Sequence, residues 1–225
     1  MKIKNDPNLY VKKDEEGNVS LISLYVDDLI ITGSACKLIE DIKIQLSQGF
    51  EMKDLGELDY CLGLEVWRES GKTLITQSKY TKEIVRKFNM SEFKAMSTPL
   101  EHNAKLYNED GSKDVDDTLY RQLLGSLNYL TTTRPDIAYP VNILSQFMAK
   151  PSKSHWKATK KVLRYLKGTV NFCIMYTNDC DVELTSYSDS NWAGNPDDRK
   201  STLGYALCYP SKKLFEVVSQ RCLVT

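Results

Sequence analysis

Two short apolar runs with an acidic pair between them dominate the first part of the chain. Residues 19–26 are mostly β-branched or apolar, Asp27-Asp28 interrupts the run, and residues 29–33 resume it. Two such runs around a short polar break predict a β-hairpin. Apolar residues then recur at helical spacing over 34–48, which predicts a helix with Ser34 as its N-cap.

A second pair of strands and a second helix are predicted further along the chain. Residues 60–67 and 73–77 have the pattern of two strands, and Ser78 is the predicted N-cap of a helix with one apolar face. The order strand, strand, helix, strand, strand, helix predicts a small α+β unit. A polar stretch with Pro and Gly over 91–117 predicts a connector.

The remaining pattern is helical and then strand-like. Helices are predicted over 118–133, 136–149 and 152–166, and strands over 173–209. Pro140 falls inside the second of these helices, where its missing N–H and its ring predict a kink or a late start.

Composition narrows the class of protein. The chain has 225 residues, of which 41% are hydrophobic and 27% charged, and 30 basic residues balance 30 acidic ones. A net charge of zero gives no overall attraction to nucleic acid, although a local basic face remains open. The polar N-terminus has no signal-peptide pattern, and no apolar run approaches the length of a membrane span. We therefore expect an intracellular protein, cytoplasmic or nuclear, with organellar residence left open.

Metal-binding and disulfide patterns involving cysteine are absent from the sequence. The six cysteines form no C-x-x-C pair and are accompanied by only two histidines. This argues against a zinc site and a disulfide framework. We expect reduced, mostly buried thiols.

The acidic pair at the predicted hairpin admits two interpretations. Asp tolerates tight turns, so Asp27-Asp28 could do no more than turn the chain. The pair could instead supply hard oxygen ligands for Mg²⁺ in a two-metal phosphoryl transfer. The residues alone leave both readings open.

A series of ordered motifs resembles one family. The run Leu24-Tyr25-Val26-Asp27-Asp28, followed by Leu29-Ile30-Ile31-Thr32-Gly33, is similar to the active-site motif of Ty1/copia-type retrotransposon reverse transcriptases. The resemblance covers residues 6–213. Further motifs of that family follow in order: Phe50-Glu51-Met52-Lys53-Asp54-Leu55-Gly56, Leu62-Gly63-Leu64-Glu65-Val66, Ser97-Thr98-Pro99-Leu100, Thr133-Arg134-Pro135-Asp136-Ile137-Ala138-Tyr139, His155-Trp156, Leu163-Arg164-Tyr165-Leu166-Lys167-Gly168-Thr169, Tyr187-Ser188-Asp189, Asn191-Trp192-Ala193-Gly194 and Arg199-Lys200-Ser201-Thr202. Several ordered motifs are far more specific than one Tyr-x-Asp-Asp.

The resemblance implies roles for individual residues. Asp27 and Asp28 match the catalytic, metal-binding pair, which implies Mg²⁺ or Mn²⁺ as cofactor. Tyr25 and Val26 match residues close to the primer end and the incoming nucleotide. Leu62-Gly63-Leu64 resembles the primer-grip hairpin, where a glycine lets the backbone approach the primer. The plainer alternative for Gly63 is an ordinary strand bulge.

The resemblance also implies nucleic-acid partners: an RNA template, a DNA primer or an RNA–DNA hybrid. The third predicted helix carries a basic face that would contact the duplex, made of Lys157, Lys160, Lys161, Arg164 and Lys167. A solvated helix face is the alternative. Asp189 matches the first acidic residue of the RNase H domain that follows this polymerase. The alternative is that Asp189 is only a polar strand residue near a turn.

The implied organisation is a partial polymerase palm over 1–100, with an antiparallel sheet and helices. A helical thumb and connection region follows over 101–180, and a truncated RNase H-like segment over 181–225. Further Pol polyprotein segments would be partners, and no membrane is implied.

Departures from the family pattern bear on activity. The upstream metal-binding Asp and the fingers have no counterpart in this sequence, and residues 214–225 lack the helix that carries the RNase H Glu. We therefore expect neither polymerase nor RNase H activity from this chain alone. A non-catalytic nucleic-acid-binding module and a non-functional retroelement relic are the alternatives.

Overall fold

The computed structural model describes residues 3, 6–101, 106–177, 185–191, 197, 200–209 and 214–222. Side chains are described for these residues except 189–191, 202, 203, 206–209 and 214–222. The chain divides into two compact units, Met1–Leu58 and Asp59–Thr225.

The first unit is a three-stranded antiparallel sheet with one helix. Strands β1 (Leu9–Lys13), β2 (Val19–Tyr25) and β3 (Asp28–Gly33) pair in chain order, and helix α1 spans Cys36–Gly49. Lys12 Nζ donates a hydrogen bond to Gln45 Oε1 at 2.9 Å, which links β1 to α1. The predicted hairpin and the helix that follows it are both present.

The predicted N-cap of α1 is wrong. The helix begins after Ala35, and no side chain caps it. Ser34 Oγ instead accepts a hydrogen bond from Val19 N at 3.0 Å. Ser34 thus extends the β2–β3 pairing, and this contact outweighs the local preference of serine for a helix start. At Gly33 an added Cβ would lie 3.0 Å from the Val19 oxygen, so the strands approach too closely for a side chain.

The second unit begins with a four-stranded antiparallel sheet. Its strands are β4 (Tyr60–Cys61), β5 (Leu64–Glu69) and β6 (Lys72–Thr76), joined much later in the chain by β7 (Ile174–Thr177). The spatial order is β4-β5-β6-β7, so β7 completes the edge next to β6.

Four helices form the main core beside this sheet: α2 (Ser78–Lys87), α3 (Asp117–Leu130), α4 (Ala138–Ser145) and α5 (Lys153–Gly168). A short 3₁₀ helix, Pro135–Ile137, precedes α4. The core side chains are fully or almost fully buried, and they include Ile84, Met90, Tyr120, Leu123, Leu124, Leu127, Leu130, Ile137, Leu144, Val162, Leu163 and Leu166. Except for Met90, which follows α2, these residues are apolar positions of the predicted helices.

Most predicted boundaries in this region agree with the structure. The side chain of Asp116 caps α3 by accepting from Thr118 N and Leu119 N at 2.9 and 3.1 Å. Helix α4 starts only at Ala138, which confirms the late start expected from Pro140. Pro140 therefore sits in the first turn, where a backbone N–H has no helical partner to lose. The described residues of the 91–117 connector form no regular element before α3 begins at Asp117.

Three more strands complete the described chain. Strands β8 (Thr185–Asn191), β9 (Ser201–Tyr209) and β10 (Leu214–Cys222) form an antiparallel sheet in the order β10-β9-β8. The chain is thus an α+β protein with antiparallel sheets, as its sequence predicts.

Two further sequence expectations concern cysteine burial and membrane spans. Among the described cysteine side chains, Cys36 and Cys173 are exposed and Cys61 is half-buried, so the prediction of mostly buried thiols is wrong for these three. No helix in the described ranges is both long and apolar enough to cross a membrane.

Candidate functional site

The acidic pair lies at the tip of the β2–β3 hairpin. Tyr25 and Asp28 are the last paired residues, so Val26 and Asp27 form a two-residue turn. Val26 has φ of +53° and is 78% exposed. A β-branched residue is strained in this left-handed conformation. The turn therefore places one carboxylate in the loop and the other on the first residue of β3.

The environment of the pair is open to solvent. Tyr25, Asp27 and Asp28 are all exposed. Tyr25 and Asp28 face each other across the two strands and share one face of the sheet. Within the described residues, no group of three or more His, Cys, Asp and Glu side chains is arranged to hold a metal ion. Asp27 and Asp28 thus offer two carboxylates from one hairpin.

A second tight hairpin joins β4 to β5. Cys61 pairs with Leu64, so Leu62 and Gly63 form its two-residue turn. Their φ values are +49° and +78°, the combination required at both turn positions of a type I′ hairpin. The structure thus gives Gly63 a turn position, and not the strand bulge of the plainer alternative.

Helix α3 contacts this second turn. The Tyr129 hydroxyl donates a hydrogen bond to the Leu62 carbonyl. A Cβ added at Gly63 would lie 3.1 Å from the same hydroxyl oxygen. Burial raises the pKa of Tyr129, so the hydroxyl keeps the proton that it donates. Nothing in the sequence pattern singles out Tyr129, because the residue is one exposed position of an amphipathic helix.

A buried carboxylate links the second hairpin to α2. Glu65 on β5 is 6% exposed, and its Oε1 accepts from Lys79 N at 2.8 Å. This satisfies an N-terminal N–H of the helix and places a negative charge at the positive end of its dipole. The predicted cap, Ser78, instead donates to Val170 O at 3.0 Å and begins the helix as its first residue.

The five basic residues of α5 that are predicted to face the duplex divide into two groups. Three of them bind the segment 93–101, which precedes α3: Lys161 pairs with Glu101 at 2.9 Å, Arg164 Nε donates to Lys94 O at 2.7 Å, and Lys167 Nζ donates to Phe93 O at 2.9 Å. By contrast, Lys157 is exposed, and Lys160 lies 5.3 Å from the centre of the Trp156 ring.

A buried ion pair joins the end of α3 to the end of α5. Arg134, which is 2% exposed, donates to both carboxylate oxygens of Asp136 at 2.9 and 2.7 Å. The same guanidinium donates to the Thr169 carbonyl and hydroxyl at 2.9 and 2.6 Å. Burial alone would raise the pKa of Asp136, but hydrogen bonds from Arg134 and Tyr165 hold it below its usual value. The sequence marks Arg134 and Asp136 only as a family motif.

His155 helps to cap the N-terminus of α5. Its Nδ1 accepts from Ser152 N at 3.0 Å, and its ring stacks on Phe147 with centroids 3.9 Å apart. Burial lowers the pKa of His155, opposed by the charge of Asp110. Hydrogen bonds from Ser154 and Ser112 hold the pKa of Asp110 below its usual range.

The candidate residues fall into separate sets. Asp27 and Asp28 belong to the first unit, whereas the second hairpin and the basic residues of α5 belong to the second. The backbone of Asp189 lies in β8, paired with Gly204 of β9, and its side chain lies outside the described residues.

Comparison with known proteins identifies the family. The family described as reverse transcriptase (RNA-dependent DNA polymerase) matches residues 2–102. The chain is 38% identical over 218 residues to the retrovirus-related Pol polyprotein from transposon TNT 1-94 of Nicotiana tabacum, covering 93% of this chain and 16% of that protein. It is 41% identical over 201 residues to the Pol polyprotein from transposon RE1 of Arabidopsis thaliana, covering 89% and 14% respectively.

A shorter relative is covered more completely. The uncharacterized mitochondrial protein AtMg00810 of Arabidopsis thaliana is 39% identical over 183 residues, covering 81% of this chain and 75% of that protein. The chain spans less than one fifth of the two Pol polyproteins, at 16% and 14% of their lengths. No solved structure matches the chain significantly. The chain belongs to the reverse transcriptase family found in the Pol polyproteins of copia-type retrotransposons.

Proposed function

We propose that this chain carries the metal-binding hairpin and part of the template–primer surface of an RNA-directed DNA polymerase. Reverse transcriptases generally use divalent metal ions and bind a nucleic-acid template and primer. The observation that carries the proposal is the pair Asp27 and Asp28 at an exposed two-residue hairpin turn. In this proposal residues 1–100 act as a partial palm, 101–180 as thumb and connection, and 181–225 as an RNase H-like segment.

The carboxylates of the hairpin fit a Mg²⁺ site. Mg²⁺ is commonly bound through one or two carboxylates, with water and substrate phosphate oxygens completing its coordination. When bound, the cation neutralises charge that develops on the transferred phosphoryl group. Asp27 and Asp28 would hold it, and Mn²⁺ would bind the same ligands. With only two carboxylates as protein ligands, the affinity for Mg²⁺ should be weak until phosphate oxygens of the substrate complete the coordination.

Paramagnetic Mn²⁺ tests this site on the chain itself. Added Mn²⁺ should broaden the amide signals around Asp27 and Asp28 in an NMR spectrum. The double variant Asp27→Asn/Asp28→Asn should lose that broadening, because amide side chains carry no charge. A matched control is Glu15→Gln/Glu16→Gln, which neutralises an exposed acidic pair in the turn between β1 and β2. Equal broadening at the hairpin in native and Asn variants would contradict the metal site.

Polymerase activity of the isolated chain stays a separate prediction. The sequence predicts negligible extension of a DNA primer on an RNA template with Mg²⁺ or Mn²⁺. Robust extension that disappears in Asp27→Ala would show that prediction to be wrong. It would at the same time support the catalytic role of the hairpin.

Duplex binding is the second part of the proposal. Of the five basic residues predicted to face the duplex, Lys157 and Lys160 make no hydrogen bond to the described residues of 93–101, and the charge of Lys157 acts after that of Lys161 to lower the pKa of Glu101. We expect them to contact phosphates, and each such contact steepens the salt dependence of binding by roughly 0.9 in log–log slope. Fluorescence anisotropy with an RNA–DNA hybrid should therefore show a shallower slope for Lys157→Ala/Lys160→Ala. Lys82→Ala, which removes an exposed lysine of α2, is the control.

The two groups of basic residues should separate in this assay. Arg164→Ala and Lys167→Ala should lower the free energy of unfolding, since both side chains donate to backbone carbonyls. Neither substitution should change the salt dependence of hybrid binding as much as Lys157→Ala/Lys160→Ala does. A native chain that binds no hybrid at low salt would overturn the duplex proposal and favour the relic alternative. A hybrid-binding chain that shows no metal effect at Asp27 and Asp28 would favour a non-catalytic binding module.

The third sheet supports an RNase H-like segment only in outline. An antiparallel order β10-β9-β8 with Asp189 on the first strand is compatible with the resemblance. We propose no activity for this segment.

A further inference from the structure

We infer that Tyr129 is a positioning residue that fixes the Leu62–Gly63 turn against helix α3 and thereby sets where this turn meets the primer end. The second clause rests on the proposed function, in which Leu62-Gly63-Leu64 acts as the primer grip. The first clause rests on the geometry of the second unit alone.

One hydroxyl accounts for two properties of the turn. It donates to the Leu62 carbonyl, and it occupies the space into which a side chain at Gly63 would project. The hydrogen bond satisfies a carbonyl at the first turn position. At the second position φ of +78° favours glycine, and the hydroxyl would have to shift to admit a side chain there. A two-residue turn held only by its strand pairs can tilt about the hairpin axis. A contact to a helix 67 positions away removes that freedom.

Tyr129 is itself held in place by its neighbours. The Tyr80 ring of α2 meets it edge to face, with centroids 5.1 Å apart. Gln77, 2% exposed, accepts at its Oε1 from the Thr133 hydroxyl at 2.7 Å, which holds the end of α3 against the start of α2. The phenol is therefore oriented before any nucleic acid binds, as a positioning group requires.

The turn is anchored from two sides. Glu65, one residue after Leu64, accepts from Lys79 N of α2. Tyr129 holds the tip from α3, so both helices constrain a hairpin whose first strand has only two residues. A movement of α3 relative to the sheet would carry the tip with it. This gives the helices a direct mechanical link to the surface that we propose to contact the primer.

The test replaces the hydroxyl alone. Tyr129→Phe keeps the ring and its packing on Tyr80, while Tyr139→Phe is the control at a tyrosine that is 53% exposed. The probe is an RNA–DNA hybrid with 2-aminopurine at the 3′-terminal primer nucleotide, and a second hybrid carries it internally. We expect Tyr129→Phe to change the terminal fluorescence and to weaken binding by no more than about tenfold, because the released tip must be ordered again when the hybrid binds. The internal signal should stay unchanged.

A second readout makes the anchoring testable without nucleic acid. Amide hydrogen exchange at Leu62, Gly63 and Leu64 should become faster in Tyr129→Phe but not in Tyr139→Phe. A variant that merely loses stability would speed exchange throughout α3 and leave the ratio of terminal to internal fluorescence as it was.

Each outcome decides a distinct claim. Unchanged exchange at the tip would overturn the anchoring. Faster exchange at the tip with unchanged terminal fluorescence would overturn the link to the primer and leave hybrid binding intact. A native chain that binds neither hybrid would overturn the proposed duplex function, while the exchange data would still decide the anchoring.

Discussion

At the scale of single residues, the strained turn at Val26 gives a direct prediction. Val26→Gly should raise the free energy of unfolding of the first unit by roughly 0.5–1 kcal/mol, because glycine adopts φ of +53° without strain. The strain that is relieved exceeds the additional backbone entropy that glycine loses on folding. The Val26 side chain is 78% exposed, so little burial is lost. Urea unfolding followed by the hairpin amides in NMR measures the change.

A glycine placed within a strand supplies the comparison for Val26. Val11→Gly lies in β1 and should destabilise the same unit. If both substitutions lower stability to the same extent, the strain assigned to Val26 is wrong.

His155 gives a residue-scale dependence on pH. Burial holds the pKa of folded His155 below the usual 6.5, so the unfolded chain binds the proton more readily. Its contribution to stability is fully present above pH 6.5 and is lost as the pH falls through the folded pKa. Protonation at Nδ1 would also remove the acceptor for Ser152 N.

The histidine contribution can be isolated by difference. Carboxylates elsewhere titrate in both proteins, so the quantity to compare is native minus His155→Gln stability between pH 8 and pH 5. That difference should shrink with falling pH, and a constant difference would contradict the assignment.

At the scale of elements, the Arg134 ion pair ties the end of α3 to the end of α5. Arg134→Lys keeps the charge but cannot reproduce four hydrogen bonds from one planar group. Breaking such a buried pair costs about 3–5 kcal/mol when a partner is removed, and lysine should lose about half of that. Denaturant unfolding of the second unit measures the loss.

An exposed arginine tests whether burial matters. Arg121→Lys alters an ion pair with Asp117 on the surface of α3, where both side chains are about half exposed at 48% and 47%. Its effect should stay within about 0.5 kcal/mol. Similar losses at both positions would contradict the role given to burial of Arg134.

The sequence predicts elements better than the contacts between them. The apolar spacing of α3 and α5 and the interrupted run at Asp27-Asp28 identify two helices and a hairpin, since the signal lies within each element. The prediction of Ser34 and Ser78 as caps is wrong because their hydrogen-bond partners, Val19 and Val170, are remote in the chain. Remote partners leave no local pattern.

Two contacts at the candidate site, made by Glu65 and Tyr129, likewise leave no local pattern in the sequence. Glu65 reads as one charged residue in a strand, and Tyr129 as one tyrosine on an amphipathic helix. Their contacts to Lys79 and Leu62 become visible only once hairpin and helices pack together. The family motifs located Asp27 and Asp28 directly because those residues are adjacent in the chain.

At the scale of the whole molecule, the two units have unequal cores. Of the buried apolar side chains in the described chain, the first unit contributes Leu38 and Ile42, and the rest belong to the second unit. A 58-residue unit with so small a core is only marginally stable by itself. Amides of β1–β3 should therefore exchange faster than those of α3–α5.

A core truncation tests this assignment. Leu163 is fully buried in α5, and Leu163→Ala should cost about 2–5 kcal/mol. Hydrogen exchange should show lower protection across α3–α5. Loss of protection confined to β1–β3 would contradict the assignment of this core.

The late pairing of β7 with β6 affects how the second unit folds during synthesis on the ribosome. The edge of β6 stays unpaired from the synthesis of Thr76 until Ile174–Thr177 leaves the ribosome. At roughly 5–20 residues per second, the nascent chain carries an open sheet edge for several seconds or longer. During that interval α5 is still being made, and the edge is a template for pairing with other chains. The β6 edge is thus paired only after all four helices α2–α5 have been translated.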